Sequence, residues 1–288
     1  KCLPKILHPD QKGFVPTRRL EDAVIKASSL IDYCNFKSLP NYMILLDQEK
    51  AFDRVSRKYL HAILEKFNFP PLIRNAIKAM YAETTANISI NGQLTSAVPL
   101  NSGVRQGCPL SPTLFALCIE PLGNLIRSNQ NYSGIKISES NSYKISKFAD
   151  DTVFFVKDQN DHDIALECIR KYELGTAAKA NVSKTEILPI GPNIHSEVNP
   201  LQTHIKILNY QTDVRFLGVN IGNKVNIDAI WNDKINKLET TLKLWDMKNP
   251  TYDGRVFILR CQALSSIWFQ AKFHELPNRK ILEIDRIV

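Results

Sequence analysis

Several features that would indicate other classes of protein are missing from this 288-residue sequence. No apolar run approaches the roughly 20 residues that a membrane-spanning helix needs, so we expect no membrane partner. None of the cysteines forms a C-x-x-C pair, which argues against a zinc site. There is no internal repeat and no low-complexity tract. The cysteines are scattered, which suits free and mostly buried thiols in a reducing compartment: Cys2, Cys34, Cys108, Cys118, Cys168 and Cys261.

Both ends also lack the features of a complete chain. The start has neither an initiator Met nor the apolar region of a signal peptide, and the end shows no terminal cap or tail. We therefore expect the sequence to be a piece of a longer protein.

The composition is that of a folded protein with a modest excess of positive charge. Hydrophobic residues make up 44% and charged residues 23%, which supports one large or two modest domains and argues against a disordered chain. Lys and Arg number 37 against 29 Asp and Glu, and the pI is near 9.1. This balance suits a polyanionic partner such as nucleic acid, although many ordinary proteins share it.

One candidate metal ligand follows an apolar run. Tyr42–Leu46 predicts a short buried strand that ends at Asp47. Magnesium prefers carboxylate oxygens, and water and substrate phosphates complete its octahedron. The alternative is that Asp47 only caps the helix that follows. Asp53 is expected to have a structural role, as a cap or in a pair with Arg54 or Lys58.

A second acidic string lies about a hundred residues later. The segments Tyr143–Phe148 and Thr152–Val156 predict a hairpin with Asp150 and Asp151 at its tip. Adjacent carboxylates repel each other unless a cation lies between them. The alternative is a solvated turn, in which Asp is common, but a wholly apolar second strand is unusual for a surface hairpin. With Asp47, this pair could hold the two divalent ions that a polymerase needs to join a nucleotide to a 3′-hydroxyl.

Other segments predict the elements around these strings. Asn91-Gly92 is the signal of a hairpin turn. Ser111 is expected to cap a helix whose first residue is Pro112. Arg215–Ile221 predicts a single short strand, after which the pattern becomes helical.

Three strings resemble motifs A, B and C of the reverse transcriptases of non-LTR (LINE-type) retrotransposons, and they occur in that order. The first is Asp-Gln-Glu-Lys-Ala-Phe-Asp at 47–53. The second is Ser-Gly-Val-Arg-Gln-Gly-Cys-Pro-Leu-Ser-Pro at 102–112, and the third is Phe-Ala-Asp-Asp at 148–151. The combination of the second and third strings is highly specific for this family.

The resemblance extends over nearly the whole chain. Gln11–Pro16 with Arg18 resembles the segment before motif A, and Asn181–Thr185 resembles motif D. The segment 216–219 resembles the primer-grip strand, and Trp245 with the helix at Gly254-Arg255-Val256 resembles the thumb.

The resemblance implies roles for the residues of the three motifs. Asp47 and Asp150 would bridge two Mg²⁺ ions, with Mn²⁺ as an alternative, and Asp151 would help to hold one of them. Phe52 would lie beneath the incoming sugar and exclude a 2′-hydroxyl. Gln106 would contact the incoming nucleotide. The plainer interpretation of Phe52 is a core residue.

The family likeness also implies nucleotide and primer contacts outside these positions. Gly107 would let the backbone approach the nucleotide, and Lys184 would protonate the pyrophosphate or bind phosphate. Arg18 could supply positive charge to the triphosphate. The alternatives are a plain loop, a solvated Lys and, for the primer grip, an ordinary strand. The expected primer grip consists of Phe216, Leu217 and Gly218.

Two departures from the family pattern bear on activity. The fingers segment that usually precedes Gln11 and helps to bind the triphosphate is absent, so we expect the chain alone to extend a primer weakly. The stretch Leu174–Ala180, before motif D, is smaller than usual. No endonuclease, RNase H or zinc-knuckle sequence is present.

The resemblance implies an α+β right-hand polymerase. Residues 1–40 would form partial fingers, 41–222 the palm with a finger-like insertion around 57–100, and 223–288 a truncated thumb. The expected function is RNA-directed DNA polymerase, with an RNA template, a DNA primer and dNTPs as partners, inside the cell in nucleus and cytoplasm. Five basic residues near the palm are expected to contact the nucleic-acid backbone: Lys50, Arg54, Arg57, Lys58 and Lys66.

Two alternatives remain open at the level of sequence. One is a truncated, inactive fragment that keeps only RNA or DNA binding; the intact Asp triad argues against it. The other is a metal-dependent nuclease that uses the same carboxylates; Phe52 and the loop around Gln106 argue against that.

Overall fold

A computed structural model of the chain describes residues 2–139, 141–192 and 201–288. The chain divides into two units, Lys1–Tyr210 and Gln211–Val288. In the described part of the chain, no helix is both long and apolar enough to cross a bilayer. All six cysteines are free, and three of them are buried: Cys34, Cys118 and Cys168.

The first unit mixes helices and strands. Its helices are α1 (Leu3–Ile6), α2 (Leu20–Phe36), α3 (Ala51–Arg54), α4 (Arg57–Lys66), α5 (Pro71–Tyr81), α6 (Ser111–Ser128) and α7 (Gln159–Thr176). Its strands are β1 (Asn41–Leu46), β2 (Thr85–Ala86), β3 (Ser89–Ile90), β4 (Gln93–Leu94), β5 (Val98–Pro99), β6 (Ile135–Lys136), β7 (Ser142–Tyr143), β8 (Ile145–Phe148), β9 (Asp151–Val156), β10 (Glu186–Ile190) and β11 (Lys206–Ile207).

A five-stranded sheet in the order β11-β10-β1-β9-β8 forms the centre of this unit. Its neighbouring strands are antiparallel, except that β10 and β11 run parallel. Met43 pairs with Phe155, and Ile44 pairs with Phe154; all four are fully buried. Because successive side chains of a strand point to opposite faces, the central strands are covered on both faces. Their continuous apolar composition therefore follows from burial.

Helices bury the two faces of the sheet. α2 contacts β8 and β10, while α6 contacts α4, α7 and β8. The side chains of Leu114 and Leu117 from α6 join Ile44 and Phe154 in the main core. Burial of a Leu or Phe side chain stabilises a fold by about 1.5–3 kcal/mol, so this contact fixes the sheet that carries the acidic residues.

The start of α6 differs from the sequence prediction. Its N-cap residue is Leu110, and Ser111 is the first helical residue rather than the cap. The hydroxyl of Ser111 is buried and lies 3.2 Å from the hydroxyl of Tyr81, so it is engaged in a tertiary hydrogen bond. The predicted Asn91-Gly92 turn is confirmed, since it joins β3 to β4 with positive φ at both residues.

The second unit is a hairpin followed by helices. Its elements are β12 (Val214–Phe216), β13 (Val219–Ile221), α8 (Ile227–Asp246), α9 (Tyr252–Ile258), a π-helical turn (Leu259–Ala263), α10 (Ser265–Gln270) and α11 (Asn278–Ile287). Its core is centred on the fully buried Trp231, with Ile235, Leu238 and Ile267 around it.

The prediction of one strand over Arg215–Ile221 is wrong. Phe216 pairs with Val219, and the two residues between them form a tight turn. Leu217 has φ of 50° and Gly218 has φ of 85°, which is the geometry of a two-residue hairpin loop. Leucine is not a turn residue, so composition gave no signal here.

The division between the units also differs from the boundary predicted at residues 222 and 223. The hairpin β12–β13 belongs to the second unit because it packs on that unit's helices. A Cβ on Gly218 would lie 3.6 Å from the ring of Phe269, and the ring of His274 hydrogen-bonds the backbone of Asn220. The assignments to fingers, palm and thumb stay predictions.

Candidate active site

The strand pairing brings the two acidic strings to the same edge of the sheet. Leu46, the last residue of β1, pairs with Thr152 of β9, so Asp47 follows β1 next to Asp151. The Nε2 group of Gln48 donates a hydrogen bond to the carbonyl of Asp150 at 3.3 Å. This contact ties the segment after β1 directly to the β8–β9 turn.

The backbone of Asp47 is held by the segment that resembles motif D. Its N–H donates to the hydroxyl of Thr185 at 3.3 Å, and its carbonyl accepts from the N–H of Asn181 at 2.8 Å. Gln48 also forms a bridge with Ala180. Asp47 is therefore fixed by backbone contacts on both sides, and it does not serve as the N-cap of α3, which is Lys50.

The turn between β8 and β9 is tighter than the predicted tip. Phe148 pairs with Asp151, which makes Asp151 the first residue of β9 and leaves Ala149 and Asp150 as the two turn residues. Ala149 has φ of 56°, a conformation that non-glycine residues adopt only where their surroundings impose it.

The negative charges of Asp47 and Asp150 act on the carboxyl group of Asp151. The pKa of Asp151 is raised to about 6, first by desolvation and then by the negative charges of Asp150 and Asp47. Asp151 is an exposed residue, and like charges near a carboxylate disfavour its ionised form. A cation placed between them would relieve this repulsion.

The residues fit a divalent cation in chemistry. Within the described ranges, no three His, Cys, Asp or Glu side chains already converge on a point that could hold a metal ion. The donor set nevertheless consists of three carboxylates, the ligands that Mg²⁺ and Mn²⁺ prefer. Asp47, Asp150 and Asp151 are the residues that would hold such an ion.

Phe52 lies beside this edge in a small aromatic stack. Its ring stacks on that of Phe115 with centroids 4.5 Å apart and an interplanar angle of 10°, and it meets Phe14 edge-on at 6.2 Å. Phe52 is half-buried, whereas Phe115 is buried in the core. Stacking on Phe115 restricts the motion of the Phe52 ring at the margin of the site.

The loop before α6 is attached to the segment that carries Phe52. The N–H of Val104 donates to the carbonyl of Phe52 at 2.9 Å. A Cβ on Gly103 would lie 2.8 Å from the carbonyl oxygen of Asp53, and its φ of 84° also requires glycine. The amide of Gln106 donates to the carboxylate of Asp53 at 3.3 Å. Asp53 thus has the structural role predicted for it, but its carboxylate anchors this loop and, among the described residues, forms no ion pair with Arg54 or Lys58.

The remaining predicted site residues have different surroundings. Gly107 is exposed with φ of 81°, and the space around its Cα is open, which leaves room for a ligand. Lys184 is exposed and lies in the segment 181–185, which hydrogen-bonds the backbone of Asp47. Phe216 is buried, while Leu217 and Gly218 form the turn of the hairpin in the second unit.

The structure argues against the predicted nucleotide contact of Arg18. Its guanidinium donates to four backbone carbonyls at 2.6–3.1 Å, which occupies its four terminal N–H groups. Those carbonyls belong to the N-terminal segment: Pro4, Leu7, His8 and Gln11. The role of Arg18 is to organise this segment.

Carboxylates at neighbouring strand ends, an adjacent aromatic ring and a glycine-containing loop before a helix form the arrangement expected of a template-directed nucleic-acid polymerase. Residues 1–221 match the family described as reverse transcriptase (RNA-dependent DNA polymerase). The chain belongs to that family. The relatives described next include proteins of a transposon and of a retrotransposable element.

Individual relatives match this chain over only a small part of their own length. The chain is 30% identical over 278 residues to the transposon TX1 uncharacterized 149 kDa protein of Xenopus laevis, covering 93% of this chain and 20% of that one. It is 25% identical over 176 residues to the Pol polyprotein of the Drosophila melanogaster element R2DM, covering 61% of this chain and 16% of that one. A solved structure of apo telomerase from Candida tropicalis aligns with a TM-score of 0.49 and 16% identity, covering 74% of this chain and 40% of that one. The chain spans a fifth or less of the length of the two curated relatives, from Xenopus laevis and Drosophila melanogaster.

Proposed function

We propose that the chain is an RNA-directed DNA polymerase that extends a DNA primer along an RNA template with dNTPs. The observation that carries the proposal is the meeting of Asp47 with the Asp150-Asp151 turn at one edge of the sheet. Two Mg²⁺ ions, or Mn²⁺ in their place, are the proposed cofactors. By family likeness, the proposed location is the nucleus and the cytoplasm.

In this mechanism the chain's own residues orient the reactants. Asp47, which follows β1, and Asp150, in the β8–β9 turn, would hold the cations, and Asp151 would contribute a third carboxylate. When bound, the cations lower the pKa of the primer 3′-hydroxyl and neutralise charge on the leaving pyrophosphate. Phe52 forms a wall under the incoming sugar, and Gln106 and Gly107 border the space for the nucleotide.

A primer-extension assay tests the proposal against its two rivals. The chain is incubated with a labelled DNA primer on an RNA or a DNA template, with dNTPs and Mg²⁺ or Mn²⁺. Cation-dependent extension on RNA supports the proposal. Binding of the template–primer without any extension would favour an inactive nucleic-acid-binding fragment, and shortening of the primer or template would favour a nuclease.

Replacing Phe52 with Val should weaken the selection of deoxyribonucleotides. A smaller side chain leaves space for a 2′-hydroxyl, so the ratio of dNTP to rNTP incorporation efficiency should fall about tenfold or more. The ratio is measured by single-nucleotide incorporation with each nucleotide type. Phe14→Leu, a change in the exposed neighbour of the stack, is the control and should leave the ratio unchanged. An unaltered ratio in Phe52→Val would reduce Phe52 to a packing residue.

Template–primer binding should decrease steeply with salt, because it would rest on phosphate contacts. Lys50, Lys58 and Lys66 are exposed and available for such contacts. The guanidinium groups of Arg54 and Arg57 instead donate to backbone carbonyls of the chain.

Replacing the three lysines together with Ala should reduce the slope of log affinity against log salt by about two to three units. Fluorescence anisotropy of a labelled template–primer over a salt series measures this slope. The same slope in the parent and the triple variant would exclude these lysines as phosphate contacts.

A further inference from the structure

The β8–β9 turn rests on a segment of the chain that lies far away in sequence. Residues Asp10–Gly13 run along the free edge of β8, where Gln11 forms a parallel bridge with Lys147. The N–H of Lys147 donates to the carbonyl of Asp10 at 2.9 Å, and the N–H of Lys12 donates to the carbonyl of Lys147 at 2.7 Å. These two bonds attach the segment to the edge of the sheet directly before the turn.

The side chain of Gln11 reaches into the turn itself. Its Oε1 atom accepts from the N–H of Ala149 at 3.3 Å and from the N–H of Gly13 at 2.9 Å. Gln11 is fully buried and Ala149 nearly so. Since two N–H donors face this atom, it must be the oxygen of the amide and not the nitrogen. In the described part of the chain, the Nε2 atom of Gln11 is buried without a hydrogen-bond partner.

The contact between this segment and the turn leaves no free space. A Cβ on Gly13 would lie 2.3 Å from the nitrogen of Ala149 and 2.9 Å from the carbonyl carbon of Phe148. Backbone atoms cannot rotate away as a side chain can, so any larger residue would displace the turn. Ion pairs also hold the segment itself in place, since Asp10 contacts Arg127 at 3.1 Å and Lys26 at 3.8 Å.

We propose that the segment Asp10–Gly13 positions the catalytic turn, and that Gln11 is a positioning residue for Asp150 and Asp151. Ala149 adopts a positive φ that its side chain disfavours, and the bond from Gln11 holds its N–H in that conformation. The next two residues are the carboxylates, so their separation and direction follow from this turn. The inference rests on the proposed polymerase function for its effect on catalysis but not for the contact itself.

The first test follows the Ala149 amide and needs no activity. Hydrogen exchange is measured by NMR in the parent chain, in Gln11→Leu, which removes the acceptor, and in Gln11→Glu, which keeps an oxygen at that position. Exchange at Ala149 and Gly13 should be at least about tenfold faster in the Leu variant, because the bonds that protect these amides are lost. The Glu variant should retain protection, since the lost Nε2 group had no partner. Unchanged exchange at Ala149 in Gln11→Leu would overturn the proposal.

The second test separates positioning from substrate binding. In primer extension, Gln11→Leu should lower kcat by about 10- to 100-fold and leave KM for the template–primer nearly unchanged, because the reacting groups are displaced while the binding surface is not. Gln11→Glu should recover most of the activity. Ser146→Ala, which removes a buried hydroxyl without a partner from the same strand, is the control and should change neither quantity. A Glu variant as impaired as the Leu variant would contradict the acceptor role.

A third variant covers the case in which Gln11→Leu fails to fold. Gly13→Ala leaves the Gln11 side chain unchanged and displaces the turn through the clash of the added Cβ with the backbone of Ala149. It should lower kcat in the same way, and normal kcat in a folded Gly13→Ala chain would count against the proposal. If the parent chain extends no primer, the proposed function fails, while the exchange measurement still decides whether Gln11 holds the turn.

Discussion

The variant Asp150→Asn is expected to lose primer extension by roughly a thousandfold or more while remaining folded. Asp150 lies in the β8–β9 turn next to Asp151, and its negative charge is one of the causes that raise the pKa of Asp151. Asparagine has the same shape but no charge, so the cation site loses one of its three anionic ligands. The carbonyl of residue 150 still accepts from Gln48, which preserves the contact between the two strings.

Single-nucleotide extension in Mg²⁺ measures this effect, and circular dichroism during thermal unfolding verifies the fold. Asp32→Asn is the matched control, because it makes the same chemical change at an exposed position on α2. It should leave extension unchanged. Near-normal extension by Asp150→Asn in Mg²⁺ would refute the assignment of Asp150 as a metal ligand.

The sequence was sufficient to predict the parts of the site that depend on local pattern. Asp47 ends an apolar run, and Asp150 and Asp151 lie between two strand-forming segments, so each string predicts its own strand or turn. The sheet register then brings them together, as expected from the likeness to motifs A and C. The family itself was recognisable from the same strings, and the match over residues 1–221 confirms it.

Other parts of the site depend on contacts between distant residues, which no local pattern reveals. Gln11 meets Ala149 across 138 positions of sequence, and Gln106 meets Asp53 across 53. Arginine is a residue type that binds anions, yet the guanidinium of Arg18 already donates hydrogen bonds to backbone carbonyls of the chain. The turn at Leu217 was missed because leucine has no preference for positive φ, and only the pairing of β12 with β13 imposes it.

Substitutions in the buried ionic cluster around Lys147 and Glu120 should destabilise the fold most. Lys147 and Glu120 are almost completely buried, and their charged atoms lie 2.8 Å apart. Glu120 also accepts from Arg127 and from the N–H of His8. Burial lowers the pKa of Lys147, and the neighbouring Glu120 opposes this shift. Gly123 leaves room for the cluster, since a Cβ there would lie 2.6 Å from Lys147 and from Arg127.

Replacing Glu120 with Gln is therefore expected to destabilise the chain by about 3–5 kcal/mol, because it leaves Lys147 without its anion in the core. The pKa of Lys147 in the folded state should then fall further below its unfolded value. Between those two values the unfolded state binds more protons, so the stability of Glu120→Gln should rise with pH in the alkaline range. Urea unfolding at several pH values measures both effects.

A double variant shows whether the loss comes from the stranded charge. Lys147→Met added to Glu120→Gln removes the buried cation and should recover a large part of the lost stability, with an interaction energy of about 1–3 kcal/mol in the double-mutant cycle. Glu167→Gln, which breaks an exposed pair with Lys171 in the same unit, is the control and should have no measurable effect. Lys147 lies on β8, directly before the turn, and forms a backbone bridge with Gln11. The cluster therefore also supports the segment Asp10–Gly13, which positions the carboxylates. Additive effects of the two substitutions would mean that Lys147 and Glu120 stabilise the fold independently, and that this support does not depend on their pairing.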